Sequence, residues 1–112
     1  MRIILFTLIL ASQAAFAGGV DSDKLAAVLA AQPEEVQARY VYRHPQETLE
    51  FFGVEPGTVV VEALPGGGWY SKILVAYLGD AGTLVGVDYA QDMFPLFGFF
   101  GEEFLEKKKT WA

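Results

Sequence analysis

Two apolar runs separated by one helix-length dominate the pattern of this chain. Residues 58–61 form a β-branched run without polar alternation, and a second run at residues 83–87 ends at Asp88. Continuous runs of this kind are typical of strands that are covered on both faces, as in parallel sheets. Between them, residues 69–78 carry apolar side chains at helical spacing, and Gly79 follows. The pattern predicts two buried parallel strands joined by a right-handed helical crossover.

Upstream of the first strand the pattern is helical. Cap-forming residues at 21–23 lead into strong helix formers at 24–31, which predicts a short first helix. A second helical stretch is predicted for residues 33–40, because it opens with a proline and two acidic residues. A third runs over residues 45–53, with proline at its first position and glycine at its end. The sequence Glu-Pro-Gly at residues 55–57 then predicts a tight turn.

The last part of the chain gives a weaker pattern. Phenylalanine and leucine are frequent at residues 94–100, but Pro95, Gly98 and Gly101 interrupt them, so we assign no regular element there. Residues 102–110 are predicted to be helical.

The N-terminus has the composition of a secretory signal peptide. Arg2 is followed by an apolar run at residues 3–11 and by Ala-Phe-Ala at residues 15–17, which gives a basic start, an apolar core and a cleavage site. We expect residues 1–17 to be a signal peptide that is cleaved after Ala17, and the exported protein to be periplasmic or extracellular. An uncleaved anchor is the alternative, but the apolar run is shorter than the roughly 20 residues that a span needs. No stable membrane anchor is expected after cleavage.

Composition narrows the choice of partners. The chain of 112 residues has eight basic and fourteen acidic residues, hence a formal net charge of −6, and loss of Arg2 with the leader lowers it by one to −7. No basic stripe is present to neutralise phosphates, which argues against a nucleic-acid partner. The one basic cluster, residues 107–109, is expected to be a solvated helix end. The sequence contains no cysteine, which excludes disulfides and thiolate metal sites.

Candidate chemistry lies at the C-terminal ends of the two predicted strands, where open α/β sheets bind ligands. The first strand reaches Glu62, and Pro65 then opens a turn of Gly66, Gly67 and Gly68. Glycines suit such a turn because a Cβ would keep the backbone away from a ligand and because some positions require positive φ, with Gly66 and Gly68 as the strongest candidates. The turn also delivers a helix N-terminus, whose free N–H groups favour an anionic group.

Two carboxylates complete this pattern. Asp88 follows Gly68 by twenty positions, the separation at which a carboxylate accepts hydrogen bonds from ribose hydroxyls. Glu62 could hold an ammonium group. Each part alone is also common in ordinary turns and helix caps. The order of strand, acid, glycine-rich turn, helix, strand and acid favours the half-domain with which a Rossmann-like fold holds an adenosine-containing cofactor.

Other polar residues leave the catalytic groups unassigned. His44 is the only histidine, and it serves either in capping and packing or as a base near neutral pH. Arg39 and Arg43 lie four residues apart on one helix face and could bind a carboxylate. The spacing offers no metal site with several ligands and no Ser-His-Asp set. We therefore name no catalytic residue and no metal ligand.

The combination resembles the first half of a class I S-adenosylmethionine-dependent methyltransferase. The residues that carry this resemblance are Gly53 to Gly57, the strand ending in Glu62, the Gly66-x-Gly68 turn, and Val87-Asp88 with Met93. More narrowly, the chain is similar to a group of exported bacterial methyltransferase-like proteins in its segments Tyr42-Arg43-His44-Pro45 and Glu62 to Tyr70. The resemblance covers about residues 39–93, roughly half of the chain.

The resemblance implies a Rossmann-like, three-layer αβα fold of the α/β class, of which this chain holds the first βαβ half behind N-terminal helices. Residues 18–57 would be the N-terminal helical segment, and residues 58–112 a partial Rossmann-like cofactor-binding domain. The implied cofactor is S-adenosylmethionine. By this resemblance, the methionine part of the cofactor would contact Glu62, Gly66 and Gly68, with Gly67 between the two glycines. Its ribose would contact Asp88, and its adenine would contact Met93.

Two departures from the family pattern matter. The family turn commonly has a glycine two residues after the acid, where this chain has Leu64. The family sheet typically has seven strands, whereas only two are predicted here. The chain is therefore expected to be a fragment, or a truncated descendant, of such a domain.

The leading hypothesis for function is methyl transfer from S-adenosylmethionine to an unknown acceptor. The first alternative is a non-catalytic exported binding protein that keeps the cleft of a degenerate methyltransferase fold. An NAD- or FAD-dependent oxidoreductase is less favoured, because its Gly-x-Gly-x-x-Gly fingerprint would need a glycine where Ser71 stands.

Overall fold

The structure of the chain is a computed structural model that describes residues 19–110. The predicted signal peptide, residues 1–17, and its cleavage site after Ala17 lie outside the described residues. Within residues 19–110 the elements follow in the order α1 (Ser22–Ala30), α2 (Glu34–Gln37), α3 (Tyr40–Arg43), α4 (Pro45–Phe51), β1 (Val59–Ala63), α5 (Trp69–Leu78), β2 (Thr83–Val87), a 3-10 helix (Gln91–Phe97) and α6 (Glu102–Lys109).

The first helix begins as predicted. The Asp21 side chain caps α1 by accepting a hydrogen bond of 2.9 Å from the Lys24 backbone N–H, which satisfies one of the unpaired amides of the first turn. The third predicted helix is also confirmed as α4, with Pro45 in its first turn. Gly53 follows that helix with φ +64, as expected of a helix-ending glycine.

The second predicted helix, residues 33–40, is wrong in its extent. The chain forms two short helices instead, α2 and α3, with a break at residues 38 and 39. Side chains on this segment bond to the end of α1: the Gln37 amide donates to the Ala30 carbonyl at 3.2 Å, and the Tyr40 hydroxyl donates to the Leu29 carbonyl at 2.8 Å. These tertiary bonds fix the two turns separately against α1.

Helix α1 packs on both α4 and α5, and the inward side chains of these helices form most of the hydrophobic core. Tyr77 of α5 is fully buried, and its hydroxyl accepts a hydrogen bond from the Asp21 N–H at 3.0 Å and donates one to the Val54 carbonyl at 3.1 Å. Burial raises the pKa of the Tyr77 hydroxyl above its usual range. The buried core cluster consists of Leu25, Leu29, Val36, Leu49, Ile73, Leu74, Tyr77 and Leu78.

The strand–helix–strand unit is confirmed. Strands β1 and β2 are parallel neighbours, with Val59 opposite Thr83 and Ala63 opposite Val87. The crossover helix α5 and strand β2 have the predicted bounds, whereas β1 begins one residue later than predicted, at Val59, and extends past Glu62 to Ala63. The architecture is therefore a small mixed α/β unit built on a two-stranded parallel sheet.

The prediction that both strands are covered on two faces is wrong for the described residues. Val60 and Leu84 pack against the core beneath α5, but the opposite face exposes Val59, Val61, Val85 and Val87. Alternate side chains of a strand point to opposite faces, so one helix layer covers only every second residue. The second helical layer of a three-layer fold is not present within residues 19–110.

The C-terminal part of the described chain contains a cluster of aromatic side chains. Phe94 is buried where the 3-10 helix meets α6, and the rings of Phe100 and Phe104 stack with their centroids 4.4 Å apart. The predicted helix at residues 102–110 is confirmed as α6, which ends one residue earlier. Across the part of the chain that the structure describes, no helix has both the length and the apolar character to span a membrane.

Candidate functional site

A cavity of about 310 Å³ lies at the C-terminal ends of the two strands. Its wall includes Glu62 of β1, Ser71 of α5, and Asp88, which directly follows β2. The strand register places Glu62 opposite Gly86, and this glycine adds no side chain to the wall. Parallel strands thus bring together two carboxylates that lie 26 positions apart in sequence.

Glu62 is held in place by the first turn of α5. Its Oε2 accepts a hydrogen bond of 2.6 Å from the Ser71 hydroxyl, and the carboxylate is half-buried. The alternation of β1 directs Glu62 to the same face as Val60, the face that α5 covers. This carboxylate is therefore oriented before any ligand arrives, with acceptor capacity remaining on its oxygens.

Asp88 is engaged by the C-terminal helix. Its Oδ1 accepts a hydrogen bond of 2.8 Å from the Tyr89 N–H, and its Oδ2 forms an ion pair with the Lys108 ammonium. The Lys108 side chain is only 7% exposed, and its ammonium lies 5.3 Å and 5.6 Å from the ring centroids of Phe94 and Phe104. The ion pair joins α6 to the end of β2.

The expectation that residues 107–109 form a solvated helix end is wrong for Lys108. Lys107 and Lys109 are exposed and pair with carboxylates of their own helix, Glu103 and Glu106. The hydrogen bond and the charge of Lys107 lower the pKa of the Glu103 carboxyl. Lys108 faces inward because it lies one turn after Phe104, on the face of α6 that packs against the 3-10 helix.

The glycine-rich turn has the predicted backbone geometry. Gly66 has φ +59 and Gly68 has φ +77, and Gly68 is the N-cap of α5. A Cβ at Gly66 or Gly67 would meet no protein atom within 4 Å. At Gly66 the protein itself requires glycine for its backbone conformation and not for packing.

The six predicted cofactor residues do not all line one cavity. Glu62 and Asp88 line the cavity at the strand ends, whereas Gly66 and Gly67 line a second cavity that adjoins the same turn, and Pro65 contributes to both. Met93 lies on the 3-10 helix, 42% exposed, and is not part of the wall that holds Glu62 and Asp88.

Sequence reasoning missed several residues of the strand-end cavity. Ser71 and Lys108 bond to the two predicted carboxylates, and Tyr89 and Phe94 supply aromatic surface next to Asp88. The spacing of Phe104 and Lys108, one helical turn apart, is the only sequence signal that could have indicated an inward-facing lysine.

His44 is a junction residue. It adopts a left-handed conformation, φ 42, between α3 and α4, and its side chain is 62% exposed. Its Nδ1 lies 3.8 Å from Glu47 Oε1. Of the two roles considered, its position is that of a helix-end residue, although its side chain makes no capping hydrogen bond. Among the described residues, no group of three or more potential metal ligands is close enough to hold an ion.

Leu64 carries backbone strain at the turn. It has φ +54, a left-handed conformation that costs a non-glycine residue about 1–2 kcal/mol. Its N–H donates a hydrogen bond of 2.7 Å to the Val87 carbonyl, so the sheet ladder holds it in place. This is the position at which the methyltransferase pattern commonly has glycine.

Replacing Leu64 with glycine is expected to stabilise the protein by about 0.5–1 kcal/mol, because relief of the left-handed strain exceeds the entropy that glycine adds to the unfolded chain. The side chain is 56% exposed, so little burial is lost. Urea unfolding of Leu64→Gly would measure the gain. Leu96→Gly is the control, since Leu96 is 80% exposed but has no left-handed backbone, and it should lose stability. Equal losses of stability in Leu64→Gly and Leu96→Gly would contradict backbone strain at Leu64.

The residues of the strand-end cavity fit S-adenosylmethionine in their chemistry. Glu62 is an acceptor for an ammonium group, Asp88 is an acceptor for ribose hydroxyls, and Tyr89 and Phe94 offer rings to a base. The volume lies at the lower end of the range for small-molecule sites. The hydroxyls must share Asp88 with Lys108. No protein-family model, curated protein or solved structure matches the chain, so the methyltransferase resemblance stays a prediction.

Proposed function

We propose that this chain forms the cofactor-binding half of a class I methyltransferase fold and binds S-adenosylmethionine at the strand-end cavity. The observation that carries the proposal is the convergence of Glu62 and Asp88. They lie at the C-terminal ends of neighbouring parallel strands, around one cavity, with a positive-φ glycine turn leading into the crossover helix. Ligands of open α/β sheets bind at this place.

Each residue has a defined task under this proposal. Glu62, oriented by Ser71, accepts the ammonium of the methionine part, and Asp88 accepts the ribose hydroxyls. Tyr89 and Phe94 pack against the adenine. When bound, the cofactor supplies a methyl group activated by its sulfonium, while the protein supplies alignment and electrostatics.

A non-catalytic binding protein is the second candidate, and the ion pair between Asp88 and Lys108 favours it. In this structure helix α6 satisfies one oxygen of the carboxylate that the cofactor would use. Displacing this ion pair is a step that limits the rate of turnover more than it limits binding at equilibrium. Transfer of a labelled methyl group to any acceptor would separate the two functions, since a pure binding protein transfers none.

A nicotinamide or flavin oxidoreductase is disfavoured by the role of Ser71. The dinucleotide fingerprint would place a glycine there, whereas the Ser71 hydroxyl bonds to the Glu62 carboxylate and fixes it.

Calorimetric titration of S-adenosylmethionine tests the proposed function. We expect saturable binding to the full chain and its loss in Gly66→Val, because a β-branched residue is strained at φ +59 and would move the turn that brings the neighbouring Pro65 to the strand-end cavity. Gly53→Val is the matched control: both glycines have φ near +60 and open space around the Cβ position. Both variants should lose about 1–2 kcal/mol of stability, but only Gly66→Val should lose binding. Absence of binding to the unmodified chain would overturn the proposal.

A further inference from the structure

The second cavity at the glycine-rich turn has a basic wall. Its volume is about 390 Å³, and Gly66 and Gly67 form part of it. Arg39 precedes α3, Arg43 is the last residue of α3, and Lys72 lies in the first half of α5. Three of the eight basic residues of an acidic chain therefore line a single cavity.

These three cations differ from the lysines of α6. Lys107, Lys108 and Lys109 each pair with a carboxylate, whereas Arg39, Arg43 and Lys72 form no ion pair with any residue in the range 19–110. The one acidic residue in the wall, Glu35, is not within ion-pair distance of them. Like charges gathered without neutralisation repel one another, and a bound anion would relieve that repulsion.

Arg43 is held in position by its neighbours. Its guanidinium lies 4.8 Å from the ring centroid of Trp69, and its carbonyl accepts a hydrogen bond of 2.9 Å from the Tyr70 hydroxyl. A stacked guanidinium keeps its hydrogen-bond donors available for a carboxylate or phosphate. Both contacts come from the first turn of α5, so the cation is fixed relative to the glycine turn.

A residue of the same cavity wall carries an unsatisfied donor. The Trp69 indole Nε1 is buried and has no hydrogen-bond partner in the part of the chain described, and Trp69 contributes to the cavity wall. Buried polar groups are ordinarily paired, and a lone donor carries a desolvation penalty. Trp69 therefore places a donor without an acceptor beside the wall that the three cations line.

We propose that this basic cavity binds the carboxylate or phosphate group of a small acidic molecule, which under the proposed function is the methyl acceptor. The carboxylate of the cofactor itself is bonded to the same carbon as its ammonium. With that ammonium at Glu62, the carboxylate remains in the strand-end cavity, and the basic cavity stays free. Pro65 is common to both cavities, so an anchored acceptor would lie next to the methionine part, where the methyl group is.

Inorganic phosphate titrated into the full chain is the direct test, followed by NMR of the Gly66 and Gly67 amides and the Trp69 indole. We expect saturable shifts at these signals, and at least tenfold weaker binding in Arg43→Gln and in Lys72→Gln. Lys107→Gln is the control, because it removes the same charge from an exposed side chain that lies outside the cavity. Lys72→Gln shows whether weaker binding in Arg43→Gln is caused by misfolding, since Lys72 makes no contact comparable to that of Arg43 with Trp69.

Three results would overturn the proposal: no saturable shift, equal weakening by Lys107→Gln, or displacement of phosphate by S-adenosylhomocysteine, which would assign the site to the carboxylate of the cofactor. The phosphate titration contains no cofactor. Phosphate binding together with no binding of S-adenosylmethionine would therefore overturn the proposed function and leave the anion site established.

Discussion

Replacing Asp88 with alanine is expected to abolish binding of S-adenosylmethionine and to lower the free energy of unfolding by about 3 kcal/mol. The first effect follows from loss of the carboxylate that would accept the ribose hydroxyls. The second follows because Lys108, 7% exposed, loses its carboxylate partner. Removal of one member of a buried pair costs about 3–5 kcal/mol, and the partial exposure of Asp88 places this pair at the lower end.

Substitutions at Lys108 separate the two effects. Lys108→Met keeps the apolar contact with Phe94 and Phe104 but removes the charge, so the double variant Asp88→Ala/Lys108→Met should regain most of the stability without regaining binding. Lys108→Met alone should bind the cofactor more tightly than the unmodified chain, because Oδ2 of Asp88 is then open to the ribose. Calorimetric titration and urea unfolding measure both quantities. Unchanged affinity in the double variant would remove Asp88 from the site.

Replacing Tyr77 with alanine is expected to lower the free energy of unfolding by about 3–5 kcal/mol, the range for loss of a buried aromatic side chain. The ring is 0% exposed among α1, α4 and α5. Its hydroxyl also joins the Asp21 N–H to the Val54 carbonyl, so the helical segment and the entry to β1 depend on one side chain. Domains of this size have little stability in excess of such a loss.

Two further variants separate the contribution of the Tyr77 hydroxyl from that of its buried ring. Tyr77→Phe removes only the hydroxyl and should cost about 1–2 kcal/mol, because two backbone groups lose a partner. Tyr42→Ala is the surface control, since Tyr42 is 83% exposed, and it should stay within about 0.5 kcal/mol of the unmodified chain. Thermal or urea unfolding gives the three values. If Tyr77→Ala resembled Tyr42→Ala, the hydroxyl bridge and the core position would both be contradicted.

The sequence predicted the elements that carry their own boundary signals. Helix α5 begins after the glycine-rich turn and ends at Gly79, so its bounds could be derived locally. Strand β2 is bounded by the turn at residues 80–82 and by Asp88, and it too was found. The positive φ of Gly66 and Gly68 followed from residue type alone.

The errors concern features that depend on contacts between distant segments. A continuous apolar run predicts a strand, but whether its second face is covered depends on a separate element, and Val59 and Val85 are exposed for that reason. Three consecutive lysines look alike in sequence, and only the packing of α6 on the 3-10 helix selects Lys108 for burial. The break between α2 and α3 likewise depends on bonds to the end of α1.

The sequence predicted part of the geometry of the candidate site and missed the rest. The common position of Glu62 and Asp88 at one cavity could be predicted, because parallel strands place their C-terminal ends together. The bonds that satisfy them, from Ser71 and Lys108, come from helix faces whose orientation no local pattern gives. Met93 was placed by family resemblance and lies away from the cavity wall that holds the two carboxylates.

The parallel ladder also determines which backbone groups are left over. The Thr83 N–H donates to the Thr58 carbonyl and the Leu64 N–H to the Val87 carbonyl, so pairing between the strands uses alternate amides, and the remaining ones face away from the partner strand. Within residues 19–110 no third strand takes them up. Strand β2 contains neither proline nor a charged residue, the devices that usually prevent edge-to-edge association. Its outer edge is therefore a template onto which a further strand can add by backbone hydrogen bonds alone.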